Sequence, residues 1–226
     1  MKLKYIGHSC FLLTSEKTGA RVLCDPYATS AYGDSFRYEP VTEAVDLVTI
    51  SHDHADHNGA GDLPGNPEVI HTAGEYEIKG VRLVGVEFFH DAVGGAQRGK
   101  NTVFCLELDG LKVCHCGDLG HLPTVEELRP LGLVDVLLVP VGGHFTIDGP
   151  VADQLIELLQ PKLVVPMHYK TVCVDFPIAD LDEYIDEKEN VIELTRSELV
   201  IPTTELPDDT QIVVIPPANC KEVQAL

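Results

Sequence analysis

Positive charge is what this chain has least of. Sixteen Lys and Arg stand against 36 Asp and Glu in 226 residues, giving a formal net charge of −20 at pH 7. Binding a phosphate backbone needs a basic stripe, so nucleic acid is excluded as a partner. Docking on an anionic membrane surface is excluded on the same ground. The chain also lacks an apolar run long enough to span a bilayer. Its first residues, Met1-Lys2-Leu3-Lys4-Tyr5-Ile6, have no apolar core of the signal-peptide kind, and the expected location is the cytoplasm. Seven cysteines form no Cys-x-x-Cys pair. Cys114 and Cys116 flank His115 within an expected strand, where they read as small buried hydrophobes of a reducing compartment. Repeats and low-complexity linkers are missing too.

What remains is ample for a folded core. Hydrophobic residues make up 44% of the chain, too many for disorder despite the charge, and the length suits a single domain over residues 1–226. Strands are expected over 2–6, 10–14, 21–25 and 45–50, then over 68–72, 81–89, 102–108 and 111–116. Asp109-Gly110 between the last two is a strong hairpin signal. Thr124-Val125-Glu126-Glu127 forms a capping box that starts a short helix. A strand over 134–141 precedes a helix from Pro150 to Leu159, and a strand over 162–167 precedes a helix over 178–188. The tail adds two or three strands, one over 211–215. Strands first, then strands alternating with helices, indicate a layered α/β sandwich.

Chemistry concentrates in Ser51-His52-Asp53-His54-Ala55-Asp56-His57-Asn58-Gly59, directly after the apolar run ending at Ile50. Neutral imidazoles and ionised carboxylates at this density suit Zn, Mn or Fe. His52 and His54, two apart in an extended loop, can point the same way. Asp56 and His57 are adjacent and diverge, so one loop can serve two ions. Further along, His90, Asp118 in Gly117-Asp118, and His168 each stand at or just past the end of an expected strand.

The loop His52-x-His54-x-Asp56-His57, followed by His90, Gly117-Asp118 and His168, resembles the signature of the metallo-β-lactamase fold superfamily over about residues 3 to 170. The resemblance implies a four-layer αββα sandwich of mixed sheets with two divalent metal ions at one edge, Zn favoured and Mn or Fe also suited. By the same resemblance His52, His54 and His90 would hold one ion. Asp56, His57 and His168 would hold the second, with Asp118 bridging and Asp56 and Asp118 the catalytic carboxylates. Asp25, in Cys24-Asp25-Pro26, would support the ligands from behind. His8, in Gly7-His8-Ser9-Cys10, either lines the same mouth or caps a turn. The motifs around His8 and Pro166-Met167-His168-Tyr169, with the short length, look most like the small branch that includes ascorbate-phosphate-type lactonases.

The function so implied is metal-dependent hydrolysis, in which a metal-bridged hydroxide attacks an ester, lactone or phosphodiester of a small substrate. A phosphodiesterase or nuclease of the same fold and a non-catalytic metal-binding protein are the alternatives, the charge arguing against the nuclease. A small molecule is the expected partner, and a homo-oligomer is left open. His121 and His144 are candidate proton donors. Arg98, Lys100 and Lys170 follow ligand segments, and their position suggests an anionic substrate group. The loop from Tyr27 to Pro40 gathers Tyr27, Tyr32, Phe36 and Tyr38. It reads either as a substrate-facing flap or as a loop pinned by aromatic packing. His71 and His115 are expected inside strands as ordinary histidines.

Overall fold

Alternation along the early strands sorts their side chains into two apolar layers. In the first sheet Leu3, Tyr5, Phe11, Leu13, Val22 and Leu47 face one cluster, while Ile6, Leu12, Leu23 and Val48 face another. The computed structural model describes residues 1–30, 32–203 and 205–220.

Two mixed sheets result. The first contains β1 (Lys2–Gly7), β2 (Cys10–Thr14), β3 (Arg21–Cys24), β4 (Leu47–Thr49), β5 (Glu68–Ile70) and β13 (Glu198–Val200), in the order β13-β1-β2-β3-β4-β5. The second contains β6 (Gly74–Ile78), β7 (Val81–Phe89), β8 (Lys100–Leu108), β9 (Leu111–His115), β10 (Val136–Pro140), β11 (Leu163–Met167), β12 (Val191–Glu193) and β14 (Gln211–Val214). Its order is β12-β14-β11-β10-β9-β8-β7-β6. Strands β10 and β11 are buried at every residue, as parallel strands covered on both faces must be. Helix α2 (Gly149–Leu159) buries Ala152 and Leu155. Its start is fixed by the Asp148 carboxylate, which accepts from the Val151 N–H, and by proline at its first turn. The capping box at Thr124 and Glu127 starts the short α1 (Val125–Leu128) as expected. The outer face of the first sheet is covered by connecting segments, through Tyr27, Phe36, Tyr38, Val174 and Ile178, and among the described residues no long helix supplies this cluster.

Topology alone aims the functional segments at one edge. In the first sheet β1 and β3 both run antiparallel to β2, and β3 and β4 are parallel, so the C-terminal ends of β1, β3 and β4 coincide. In the second, β7 and β9 both run antiparallel to β8, and β9, β10 and β11 are parallel. Their ends therefore coincide as well. Backbone bonds stitch the two sheets there: His168 N–H donates to His8 O (3.0 Å) and Thr102 N–H to Ser51 O (2.8 Å).

Three expectations need correction. The helix over 178–188 shrinks to α3 (Asp182–Ile185), because Ala179 N–H is taken by Gly142 O and Asp180 pairs with Lys170, holding the preceding residues extended. Strand β6 escaped the sequence reading. It joins β7 through Lys79-Gly80, both with positive φ, where the Asn or Asp that advertises such a turn is missing. His71 lies past the end of β5 and is exposed. His115, in contrast, is a satisfied core histidine, its Nε2 2.8 Å from Ser9 O.

Cysteine usage holds one further finding. Cys10, Cys24, Cys105, Cys114 and Cys116 are buried thiols, but Cys173 and Cys220 form a disulfide across 47 residues. Closing a loop of that length stabilises by about 4 kcal/mol on the chain-entropy model. Titration of the unfolded, unreduced protein should therefore count five thiols rather than seven. Cys220→Ser should lower the melting temperature by roughly 10 °C. A count of seven removes the disulfide.

Candidate metal centre

Each ligand candidate follows a strand that ends at the shared edge. The chain there must turn sharply, and it does so through unusual backbone: His8, Asp25, His144 and His168 all have positive φ, between 45° and 60°. For residues other than Gly, Asn and Asp such conformations are rare and cluster at functional sites. Asp118 is placed by its neighbours. A Cβ on Gly117 would come 2.3 Å from Asn101 Oδ1, and one on Gly120 would come 2.2 Å from Asp91 N. Only glycine fits on either side, and Asp118 N–H donates to Asn101 Oδ1 (2.9 Å), fixing the loop.

All seven expected ligands meet. The ligand atoms of His52, His54 and His90 form one group and those of Asp56, His57 and His168 fall in another, each within 4.8 Å of one another. The Asp118 carboxylate lies between them. Its Oδ2 is 3.3 Å from His90 Nε2, 3.4 Å from His168 Nε2 and 3.8 Å from His52 Nε2, and its Oδ1 is 3.1 Å from His57 Nε2. His8 joins the second group, fully buried, with Nε2 3.1 Å from Asp56 Oδ2.

Asp25 sets the imidazoles' orientation. Fully buried, it accepts Ser51 N–H (2.8 Å) and Ser51 Oγ–H (2.5 Å), and its Oδ2 lies 2.7 Å from His57 Nδ1. A proton on His57 Nδ1 leaves Nε2 as a lone pair facing Asp118. Ser51 Oγ, having given its proton to Asp25, can accept one only from His52 Nδ1, 2.9 Å away, which frees His52 Nε2 in the same way.

A cation fits this arrangement. His57 Nε2 and Asp118 Oδ1 are buried 3.1 Å apart and make no hydrogen bond. His52 Nε2 and His54 Nδ1 point at each other across 2.9 Å. Buried acceptors aimed at a common point are what a shared positive charge satisfies. The titration behaviour agrees. Burial pushes the His52 pKa down to about 3 and His8 to about 4, and it lowers His54, so these rings are neutral donors. Burial opposes charge on His57 as well, yet the Asp118 and Asp56 carboxylates overcome it and raise His57 well above its ordinary value. Asp118 itself is burdened by burial and held well below the carboxylate range by His168 and His57.

The remaining candidates divide. Arg98 stands over the Phe145 ring, 5.3 Å from its centroid. His144 is exposed and edge-on to the same ring. His121 is not brought into the cluster, since its Nε2 accepts Phe89 N–H at 3.3 Å. Lys100 pairs with Glu87 on the exposed face of β7 and β8 (2.8 Å). Lys170 lines a groove with Asp180, Asp182, Glu183 and Asp186. In the loop of Tyr27 to Pro40, Tyr27, Phe36 and Tyr38 are buried, as a loop pinned by aromatic packing requires, and Tyr32 O–H donates to Asp56 Oδ1 (3.1 Å). Sequence reading missed Ser51, Asn101 and Asp91, whose roles are hydrogen bonds to residues distant in the chain or to a loop's backbone. A cavity of about 410 Å³ lined by Tyr76, Leu83, Leu106 and Leu131 contains none of these residues.

Comparison with known proteins agrees with this geometry. A family model described as a beta-lactamase superfamily domain matches residues 2–168. A UPF0173 metal-dependent hydrolase of Thermococcus onnurineus is 31% identical over 229 residues, taking in 88% of this chain and 99% of the relative. One from Pyrococcus abyssi is 32% identical over 196 residues, 76% of this chain and 85% of the relative. A solved metallo-β-lactamase superfamily structure from Thermotoga maritima has a TM-score of 0.77 and 36% identity, covering 95% of this chain and 97% of that one.

Two outcomes follow for the metal-free protein. Binding of Zn²⁺ must displace the proton held by His57, so apparent affinity should rise with pH above neutrality. Titration calorimetry in buffers of different ionisation enthalpy should show that proton released, and identical heats in all buffers would contradict it. Asp25→Asn keeps size and tolerates the positive φ, and it should weaken metal binding about 10- to 100-fold in a chelator competition. Unchanged affinity would remove Asp25 from its orienting role.

Proposed function

We propose, from the premise that the chain belongs to the beta-lactamase superfamily and is a metal-dependent hydrolase, that it works with two divalent cations on a small-molecule ester, lactone or phosphodiester. One observation carries the two-ion reading. The Asp118 carboxylate touches histidines of both ligand groups, one oxygen toward His57 and the other toward His90, His52 and His168. His52, His54 and His90 would hold one ion and Asp56, His57 and His168 the other, with Asp118 shared. Mixed imidazole and carboxylate donors favour Zn, with Mn and Fe acceptable to the same set. Ions held there would supply an ionised water near neutral pH and polarisation of the bond under attack.

The chain's own residues do the rest. Asp25 fixes the tautomers of His52 and His57, so that both present Nε2 to the centre. Buried His8 and the Tyr32 hydroxyl each hold one oxygen of Asp56, which fixes that carboxylate's rotation. Tyr32, burdened by burial and by Asp56, has its pKa pushed up to about 12 and stays a neutral hydrogen-bond donor. His144 is exposed and edge-on to Phe145, and it is the stronger candidate for protonating a leaving group, because the His121 ring is engaged with Phe89. A nuclease has the net charge of −20 against it. The substrate is therefore a free small molecule, and the five buried thiols fit a cytoplasmic location, in which the Cys173–Cys220 disulfide is the exception.

Metal analysis with turnover tests the reading. Wild type should carry two equivalents of metal and hydrolyse at least one member of a panel of lactones, aryl esters and bis-(4-nitrophenyl) phosphate. Asp118→Ala should lose at least one equivalent and lower kcat/KM by at least about 10³, since it removes several kcal/mol of charge stabilisation. One equivalent in the wild type would sink the dinuclear reading. Two equivalents with no turnover on any class would favour a non-catalytic metal-binding protein.

A further inference from the structure

Beyond the ligands, a line of aromatic rings leads away from the centre. Tyr32, bonded to Asp56, lies 5.3 Å from the Phe176 ring, Phe176 lies 6.0 Å from Phe145, and the Arg98 guanidinium sits 5.3 Å over Phe145. Phe36 is buried behind Tyr32 and Phe176, while Tyr32 is 39% exposed and Phe145 and Phe176 are half-buried. The track therefore has a packed back and an open face. Its middle ring and the loop of its far ring are both anchored on the metal segments. Phe176 stands 5.9 Å from His8, and the loop carrying Phe145 is tied by Ile147 N–H to Leu119 O, next to Asp118 (2.8 Å).

Arg98 is held there by construction. The loop after His90 is wound on the Asp91 carboxylate, which accepts the N–H groups of Val93 and Gly95 on one oxygen and of Gln97 and Arg98 on the other, at 2.8 to 2.9 Å. Four such bonds fix the position of Arg98 relative to the ligand His90. Its charge is left over. Lys4, Lys79, Arg82, Lys100, Arg129 and Lys188 each pair with a carboxylate. Among the described residues no carboxylate pairs with Arg98, whose guanidinium reaches only Gln97 Oε1 at 3.5 Å. In a chain of net charge −20, a guanidinium kept from every acidic side chain and stacked on an aromatic ring leaves its planar fork of N–H donors unused. That fork matches a carboxylate or a phosphate.

We infer that Arg98 and the Tyr32–Phe176–Phe145 track form the substrate subsite, which takes an acidic small molecule: an apolar or planar body lies along the rings, and a terminal carboxylate or phosphate meets Arg98. The inference rests on the hydrolase reading above. Cleavage occurs at the metal end and the acidic group stays at the other. An anion at Arg98 also offsets the repulsion that the acidic surface presents to any negatively charged substrate.

The test uses the metal-loaded full chain, with 4-nitrophenyl valerate as neutral ester, 4-nitrophenyl glutarate as its carboxylate counterpart and a phosphate-terminated analogue. Binding of free glutarate and of inorganic phosphate is measured beside turnover by calorimetry. Wild type should prefer one of the charged esters, and Arg98→Met should lower the charged-to-neutral ratio of kcat/KM about 10-fold or more, with two metal equivalents retained. Free-anion binding should weaken by a similar factor, and Arg98→Lys should restore part of both. Lys79→Met, which removes the same charge from an exposed pair with Asp46, should leave the ratio unchanged. The analogue on which the ratio collapses identifies carboxylate or phosphate. An unchanged ratio and unchanged anion binding in Arg98→Met, or an equal fall in Lys79→Met, would overturn the subsite. Normal anion binding through Arg98 with no ester hydrolysed would leave the subsite standing and count against the hydrolytic substrate class.

Discussion

A carboxylate with no exposed surface is expensive to bury, and Asp25 is such a carboxylate. Its cost is met by donors from the segment that must be positioned: the Ser51 amide, the Ser51 hydroxyl and the His57 ring. The stability of a charge in the core and the orientation of two imidazoles are thus one interaction. Burial raises the carboxyl's pKa, and His115 and His57 outweigh it, so the group stays ionised. Remove the charge and the His52–His57 loop loses the reason for its shape. The rest of the rim, from the glycines beside Asp118 to the sheet-to-sheet bonds at His8 and His168, brings the other ligands up to that fixed loop.

Much of this was legible because the signal was local. His52, His54, Asp56 and His57 occupy six positions, and His90, Asp118 and His168 each end a strand whose apolar pattern can be read without a partner. Parallel and antiparallel pairings then carry those ends to one edge, which is a property of topology. What stayed hidden depended on contacts across long stretches of chain. Asn101 matters because its side chain spans Cys116 O and the Asp118 amide. Asp91 matters because a loop winds on it, and an aspartate after a histidine carries no sign of that. Lys100 looked like a substrate cation by its place in the sequence. The β7–β8 register instead puts it within reach of Glu87 on the exposed face. The helix over 178–188 failed for a related reason: backbone pairing with Gly142 and Lys170 claims its first turn.

The two layers outside the sheets are unlike in kind. Helix α2 packs on the second sheet through regular apolar spacing and would tolerate little change in length. Over the first sheet the cover is a pair of loops that bridge at Phe36 and Val174, with Arg37 N–H bonded to Cys173 O. Those same loops supply Tyr32 and Phe176 to the mouth. Rigidity is invested in the metal edge, and the aromatic rings beside it come from segments whose sequence the sheets do not dictate.

The last described residues are fastened to the first. Strand β13 fills the free edge of β1, Ile201 N–H donates to Met1 O, and Ala218 and Asn219 donate to Tyr5 O and Ile6 O before Cys220 closes onto Cys173. The outer edge of β1 is therefore occupied by a strand far removed from it in sequence, a strongly non-local pairing. His8 hangs from the end of that strand, against Asp56 and His168. The frame around His8 is thus sealed from within: β13 shields the open amides and carbonyls of β1 from pairing with another molecule.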